Sequence, residues 1–165
     1  MTLMSVSEYD ECAEMIARRL GGVLKTICDT NDGHSSCRSF IGASIPAMDL
    51  DDYCNRLLKY FRCSPVVFVC AAVYIDRFVN SSNTTIHYLN VHRLLVIALS
   101  IAVKVHEDSH YSNAYYSQVG GLDVNEFNNL EAEMLEAIEF FLFIDPEDLE
   151  QYSRLLTDER VINEA

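Results

Sequence analysis

The chain has 165 residues, 50% of them hydrophobic, and 25 acidic side chains against 12 basic ones give it a formal net charge of −13. Such a length suits one compact domain able to bury about 70% of its unfolded surface, and the hydrophobic content excludes wholesale disorder. The charge excess lies wholly beyond residue 104, where fifteen acids face only Arg154 and Arg160. An acidic half repels phosphate backbones, which disfavours nucleic acid as a direct ligand and favours a basic protein patch, although a solvated acidic face would look the same.

Residues 7–28 place Cys12, Met15, Ile16, Leu20, Val23, Leu24 and Ile27 at spacings of three and four, predicting an amphipathic helix with a kink at Gly21–Gly22. The opening MTLMSVSEYDECAEM turns acidic by Glu8 and lacks the basic head and apolar run of a secretory leader, so an intracellular protein, cytoplasmic or nuclear, is expected. Residues 29–48 are rich in turn formers without a period and read as a surface linker. Asp49 is placed to cap a helix bearing Tyr53, Leu57, Leu58 and Phe61, with Arg56 inside it. Ser64–Pro65, a cap followed by a proline at the first helical position, starts the next, VVFVCAAVYIDRFVN, which is nearly all apolar until Asp76–Arg77.

The chain then reaches its most apolar stretch. Between Arg93 and His106 it reads LLVIALSIAVKV, twelve residues whose only polar side chains are Ser100 and Lys104. A membrane helix needs about 20 apolar residues. A shorter helix that is apolar on every side belongs among other helices. Asn90 is the expected N-cap, and His106 falls in the last turn, where positive charge is favoured. Lys104 leaves from a mostly apolar face that includes Ile97 and Ile101. Either its stem lies along that surface with the ammonium in water, or it meets a specific acceptor.

A short helix is expected from about Ser112 to Val119, stopped by Gly120–Gly121. Asp123 with Glu126 three residues on makes a capping box for a helix carrying Phe127, Leu130, Met134, Leu135, Ile138 and Phe141, with the charge of Glu131 among them. Asp145–Pro146 opens a last amphipathic helix through Leu149, Tyr152 and Leu156. No strand pattern appears, so the fold class is all-α, with about seven helices. Cys12, Cys28, Cys37, Cys54, Cys63 and Cys70 form no C-x-x-C pair and read as small buried hydrophobes. His106-Glu107-Asp108-Ser109-His110 matches H-E-x-x-H, but a zinc peptidase needs both histidines on one helical face, and the helix is expected to end just there. Neither a metal nor another cofactor is therefore expected.

Read together, Y74-I-D-R-F78, I-A-V-K104, the glycine pair and N-L-E131-x-E-M-L-E-A-I-E-F-F-L resemble the cyclin box over residues 49–143. The forms K59-Y, Y111-S-N-x-Y-Y-S-Q-V-G-G121 and F127-N-N-L-E131 are most similar to phosphate-pathway and U/P-type cyclins. The resemblance implies a single five-helix box, with residues 1–48 as an N-terminal helix and linker packed on it and 144–165 as a C-terminal helix and tail. It implies a non-enzymatic regulatory subunit whose partner is a cyclin-dependent protein kinase, without a small-molecule substrate or membrane. It assigns Lys104 and Glu131 to hydrogen bonds with kinase backbone groups, with Val105, Leu135, Phe140 and Leu142 as apolar contacts. It also gives Arg56 and Asp76 a joint role as an internal ion pair, although Arg77 could instead pair with Asp76 or Glu107. The docking groove of mitotic members is expected to be absent, because Asn55, Leu58, Lys59 and Arg62 hold its positions. A helical adaptor of the same fold that acts on no kinase is one alternative, and a zinc peptidase using His106, Glu107 and His110 is a remote second.

Overall fold

A computed structural model describes residues 4–31 and 37–158. Among the described residues there are seven helices and no strand: α1 (Val6–Thr30), α2 (Leu50–Phe61), α3 (Pro65–Ser82), α4 (Val91–His106), α5 (Asn113–Gly120), α6 (Val124–Ala137) and α7 (Pro146–Thr157). No helix of the described residues is long and apolar enough to cross a membrane.

The stretch that is apolar all round sits where its composition demands. Every residue of α4 from Leu94 to Val103 is buried, because α2, α3, α5 and α6 pack around it. α3 is the second core element, lying against α4 on one side and against α1 and α7 on another. Its start follows the sequence signal, with Ser64 at the N-cap and Pro65 at the first helical position. The Ser64 side chain does not cap its own helix, however. Its Oγ donates to Glu107 Oε1 at 2.5 Å and its backbone N–H to the same oxygen at 2.8 Å, so a carboxylate from the end of α4 covers the N-terminus of α3.

Several expectations are corrected in detail. The glycine pair does not interrupt α1, which runs continuously over 25 residues. Gly21 instead faces α2, and a Cβ there would lie 3.0 Å from Cys54 Sγ, so the missing side chain permits close helix approach. The stretch expected as a surface linker contributes to the core: Phe40 is fully buried with its ring 4.9 Å from that of Phe78, and the Gly42 N–H donates to the Leu89 carbonyl at 2.7 Å. Residues 32–36 of that stretch lie outside the described residues.

Asn90 occupies the N-cap of α4, but its side chain accepts from the His87 N–H and donates to the Thr85 carbonyl, ordering the preceding loop. Asp123 caps α6 through Asn125 and Glu126, whereas the Glu126 carboxylate turns to Arg93, so the reciprocal half of the capping box is not made. α6 also stops at Ala137, short of the predicted Phe141. Glu139 and Phe140 both take left-handed backbone angles, with φ of 55° and 54°, which ends the helix and leads into an irregular strap.

Candidate functional site

The end of α4, the start of α5 and the middle of α6 converge on a polar cluster set in apolar surroundings. Lys104 projects from the last turn of α4 and its ammonium forms an ion pair with Glu131 of α6. The same nitrogen donates to Asn113 Oδ1 at 2.8 Å, while Asn113 Nδ2 donates to Glu131 Oε1 at 3.2 Å and to Asn128 Oδ1 at 2.9 Å. Ser100 Oγ, bonded mainly to the Ile97 carbonyl, also lies 3.4 Å from Glu131 Oε2. The side chains of Lys104 and Glu131 are 24% and 15% exposed, so the two charges are covered along their stems but still open to an incoming group. Lys104 therefore meets a specific acceptor and does not simply extend into water.

The four apolar residues expected beside this pair divide by exposure. Val105 and Phe140 are 43% and 63% exposed, whereas Leu135 and Leu142 are half-buried against the core. Two further residues, missed from the sequence, extend the apolar surface: Phe141 and Phe143 are 56% and 69% exposed. The run F-F-L-F carried that signal, but reading Phe141 as the buried face of a helix concealed it. Phe140, Phe141 and Phe143 together form an apolar patch open to water.

The strap that bears them is fixed by α3. Arg77 donates from Nη1 to the Phe141 carbonyl and from Nη2 to the Phe143 carbonyl, each at 2.8 Å, with its guanidinium 4.5 Å from the centre of the Phe141 ring. The Tyr74 hydroxyl donates to the Leu142 carbonyl at 2.7 Å and lies 2.8 Å from His106 Nε2, which ties the strap to the end of α4. Burial pushes the Tyr74 phenol up and the His106 imidazole down, the latter opposed by Glu107. Both groups are accordingly neutral near pH 7.

The expected ion pair between Arg56 and Asp76 is not formed. Arg56 Nε donates to the Val119 carbonyl at 2.8 Å and its guanidinium sits 5.3 Å from the Tyr60 ring, so it joins α2 to the end of α5. Asp76 is exposed and accepts from the Tyr152 hydroxyl of α7. Arg77 pairs with neither Asp76 nor Glu107, since its donors go to the strap and Glu107 is held by Ser64. His106 and His110 do not share a helix, because α4 ends at His106 and His110 Nδ1 bonds the Tyr111 carbonyl.

Comparison with known proteins supplies the context for this cluster. The family model described as Cyclin matches residues 14–142, so the match takes in most of α1 and the connector as well as α2–α6. Cyclin-U3-1 of Arabidopsis thaliana is 42% identical over 66% of this chain and 49% of its own length. Cyclin-U4-1 of the same plant is 34% identical over 87% of this chain and 75% of its length, and Cyclin-P4-1 of Oryza sativa subsp. japonica is 30% identical over 94% and 79%. The chain thus spans from about half to about four fifths of the length of these relatives. With an all-α core built on one encircled helix, and with U-type and P-type relatives aligned across most of its length, this chain belongs to the cyclin family.

Proposed function

We propose that the chain is a non-enzymatic regulatory subunit that binds and activates a cyclin-dependent protein kinase. The observation that carries this reading is the adjacency of Lys104 and Glu131, brought from α4 and α6 to one partly covered spot. An ammonium offers donors to carbonyl oxygens and a carboxylate accepts from N–H groups, so the two together satisfy backbone groups of a docked helix. Val105, Leu135, Phe140 and Leu142, joined by Phe141 and Phe143, supply the apolar part of the contact.

Activation then follows from differential affinity. A surface that fits the inward position of the kinase's mobile helix better than its outward position shifts the kinase population toward the state with its ATP-positioning lysine–glutamate pair complete. A long-lived complex of this kind buries at least about 2,000 Å² in total.

The test is a binding and activity screen of recombinant cyclin-dependent kinases against the wild-type chain and the Lys104→Ala/Glu131→Ala double variant. At least one kinase should bind and be activated, and the double variant should bind it about 100-fold or more weakly while remaining helical. Equal affinity of the two chains would remove the pair from the interface. Binding to no kinase in the screen would favour the adaptor alternative.

A further inference from the structure

We propose that Asn113 is a positioning residue of the docking site, holding Lys104 and Glu131 so that one ammonium N–H and a lone pair on each carboxylate oxygen are left for the partner's backbone. This rests on the docking role proposed above. An ammonium has three donors. One goes to Glu131 Oε2 and one to Asn113 Oδ1, leaving one unspent. A carboxylate has about four lone-pair positions. Those of Glu131 receive Lys104 on Oε2 and Asn113 on Oε1, while the single proton of Ser100 goes to the Ile97 carbonyl at 2.8 Å, leaving one position on each oxygen. The cluster is thus matched to one carbonyl and one or two N–H groups, which a single stretch of backbone at a helix end can present.

The Asn113 side chain suits this task because its amide has one end for each charge. Its oxygen meets the ammonium and its nitrogen meets the carboxylate, with Asn128 Oδ1 taking the second N–H. Turned over, the amide would oppose both charges, so its orientation is fixed by its neighbours. Its backbone is fixed as well, since Asn113 is the first residue of α5 and Ser112 caps that helix through the Tyr115 N–H at 3.2 Å. Without the amide, the pair is free to close on itself as a self-satisfied contact. Free rotation about the terminal torsions would then spread the spare donor and acceptor over many directions.

The experiment uses the full chain and reads two things. Exchange of the Lys104 ammonium protons with water, followed by nitrogen-15 NMR, needs no kinase. Asn113→Ala should speed that exchange about tenfold while Asn129→Ala, at an exposed position of α6 outside the cluster, stays within about twofold of wild type, since only the former removes an acceptor from the ammonium. Asn113→Asp keeps that acceptor and so should keep exchange slow, yet it should bind the recombinant kinase that the wild-type chain binds about tenfold more weakly. A second carboxylate then claims the ammonium and repels Glu131. Asn113→Ser, whose hydroxyl is too short to reach both charges, replaces the alanine variant if that one does not fold.

Unchanged exchange in Asn113→Ala, or wild-type kinase affinity in Asn113→Asp, would overturn the positioning role. Failure of every kinase to bind would instead fall on the docking role, with the exchange measurement still deciding whether Asn113 holds the pair.

Discussion

Arg56 and Asp76 show how far residue type and spacing can carry an assignment of partners. Asp76 lies in a strongly apolar helix and Arg56 in an amphipathic one, and each attracts a search for an opposite charge, but a carbonyl at the end of α5 and a phenol on α7 answer that need instead. Side-chain chemistry announced a polar contact at both positions, while the identity of the partner depended on how α5 and α7 close over the box. Arg56→Ala should accordingly cost about 1.5–3 kcal/mol, because it leaves the Val119 carbonyl without its charged donor. Asp76→Ala should cost about 0.5 kcal/mol or less, as for most exposed positions. Chemical denaturation of both variants checks this, and a larger loss for Asp76→Ala would contradict it.

The buried titratable groups set limits in pH. Burial pushes the thiols of Cys54 and Cys63 up to about 12 and those of Cys28 and Cys70 up to about 11. A thiol of the unfolded chain ionises near about 8.5. Their contribution to stability is therefore complete below that value and lost as pH rises through 9 to 12. His87 and His92 act in the opposite direction. Burial lowers both, and His87 Nε2 and His92 Nδ1 have no hydrogen-bond partner. Protonating them costs stability as pH falls below the unfolded histidine value, about 6.5. Melting temperature should therefore be highest between about pH 6.5 and 8.5 and fall on both sides. A melting temperature that stays flat to pH 10.5 would contradict the burial of these thiols.

At the scale of the element, helix existence and most helix starts were written plainly, whereas the end of α6 was not. The spacing of apolar residues located α1, α2, α6 and α7, continuous apolar runs located α3 and α4, and the glycine pair marked α5, because burial dominates whether a helix forms. Two left-handed residues ended α6 without glycine or proline, and such a stop comes from tertiary contacts, here the grip of Arg77 and Tyr74 on the strap. Glycines divide in the same way. Gly22 lies inside α1 with open space where a Cβ would stand, so Gly22→Ala should stabilise by about 0.5–1 kcal/mol through helix propensity alone. Gly120 closes α5 on α4, and a Cβ there would come within 2.8 Å of Val96 Cγ2 and 3.4 Å of the Tyr53 hydroxyl. Gly120→Ala should cost about 1–3 kcal/mol by overpacking. Opposite shifts of the two melting curves are expected, and shifts of the same sign would contradict this packing of α5.

For the whole molecule, the all-α class and the central place of α4 were legible because twelve consecutive residues with two polar side chains have few other places to go. The site was legible in part. Lys104 and Glu131 were found as charges among apolar residues, but Asn113, Arg77, Phe141 and Phe143 needed the folded arrangement, since each acts through a neighbour distant in sequence. The arrangement amounts to a helical core that presents one ion pair, bridged by Asn113, beside a strap of phenylalanines, and its proposed use is to clamp a kinase helix. A double-mutant cycle on kinase affinity tests that use most directly, with Lys104→Ala, Glu131→Ala and their combination titrated against the same recombinant cyclin-dependent kinase. Two charges gripping one backbone segment should be coupled, so each single variant should lose about 30-fold or more and the double variant, though weakened about 100-fold or more, clearly less than the product of the two losses. Losses that simply multiply, or single variants that bind like wild type, would contradict a joint role at the interface.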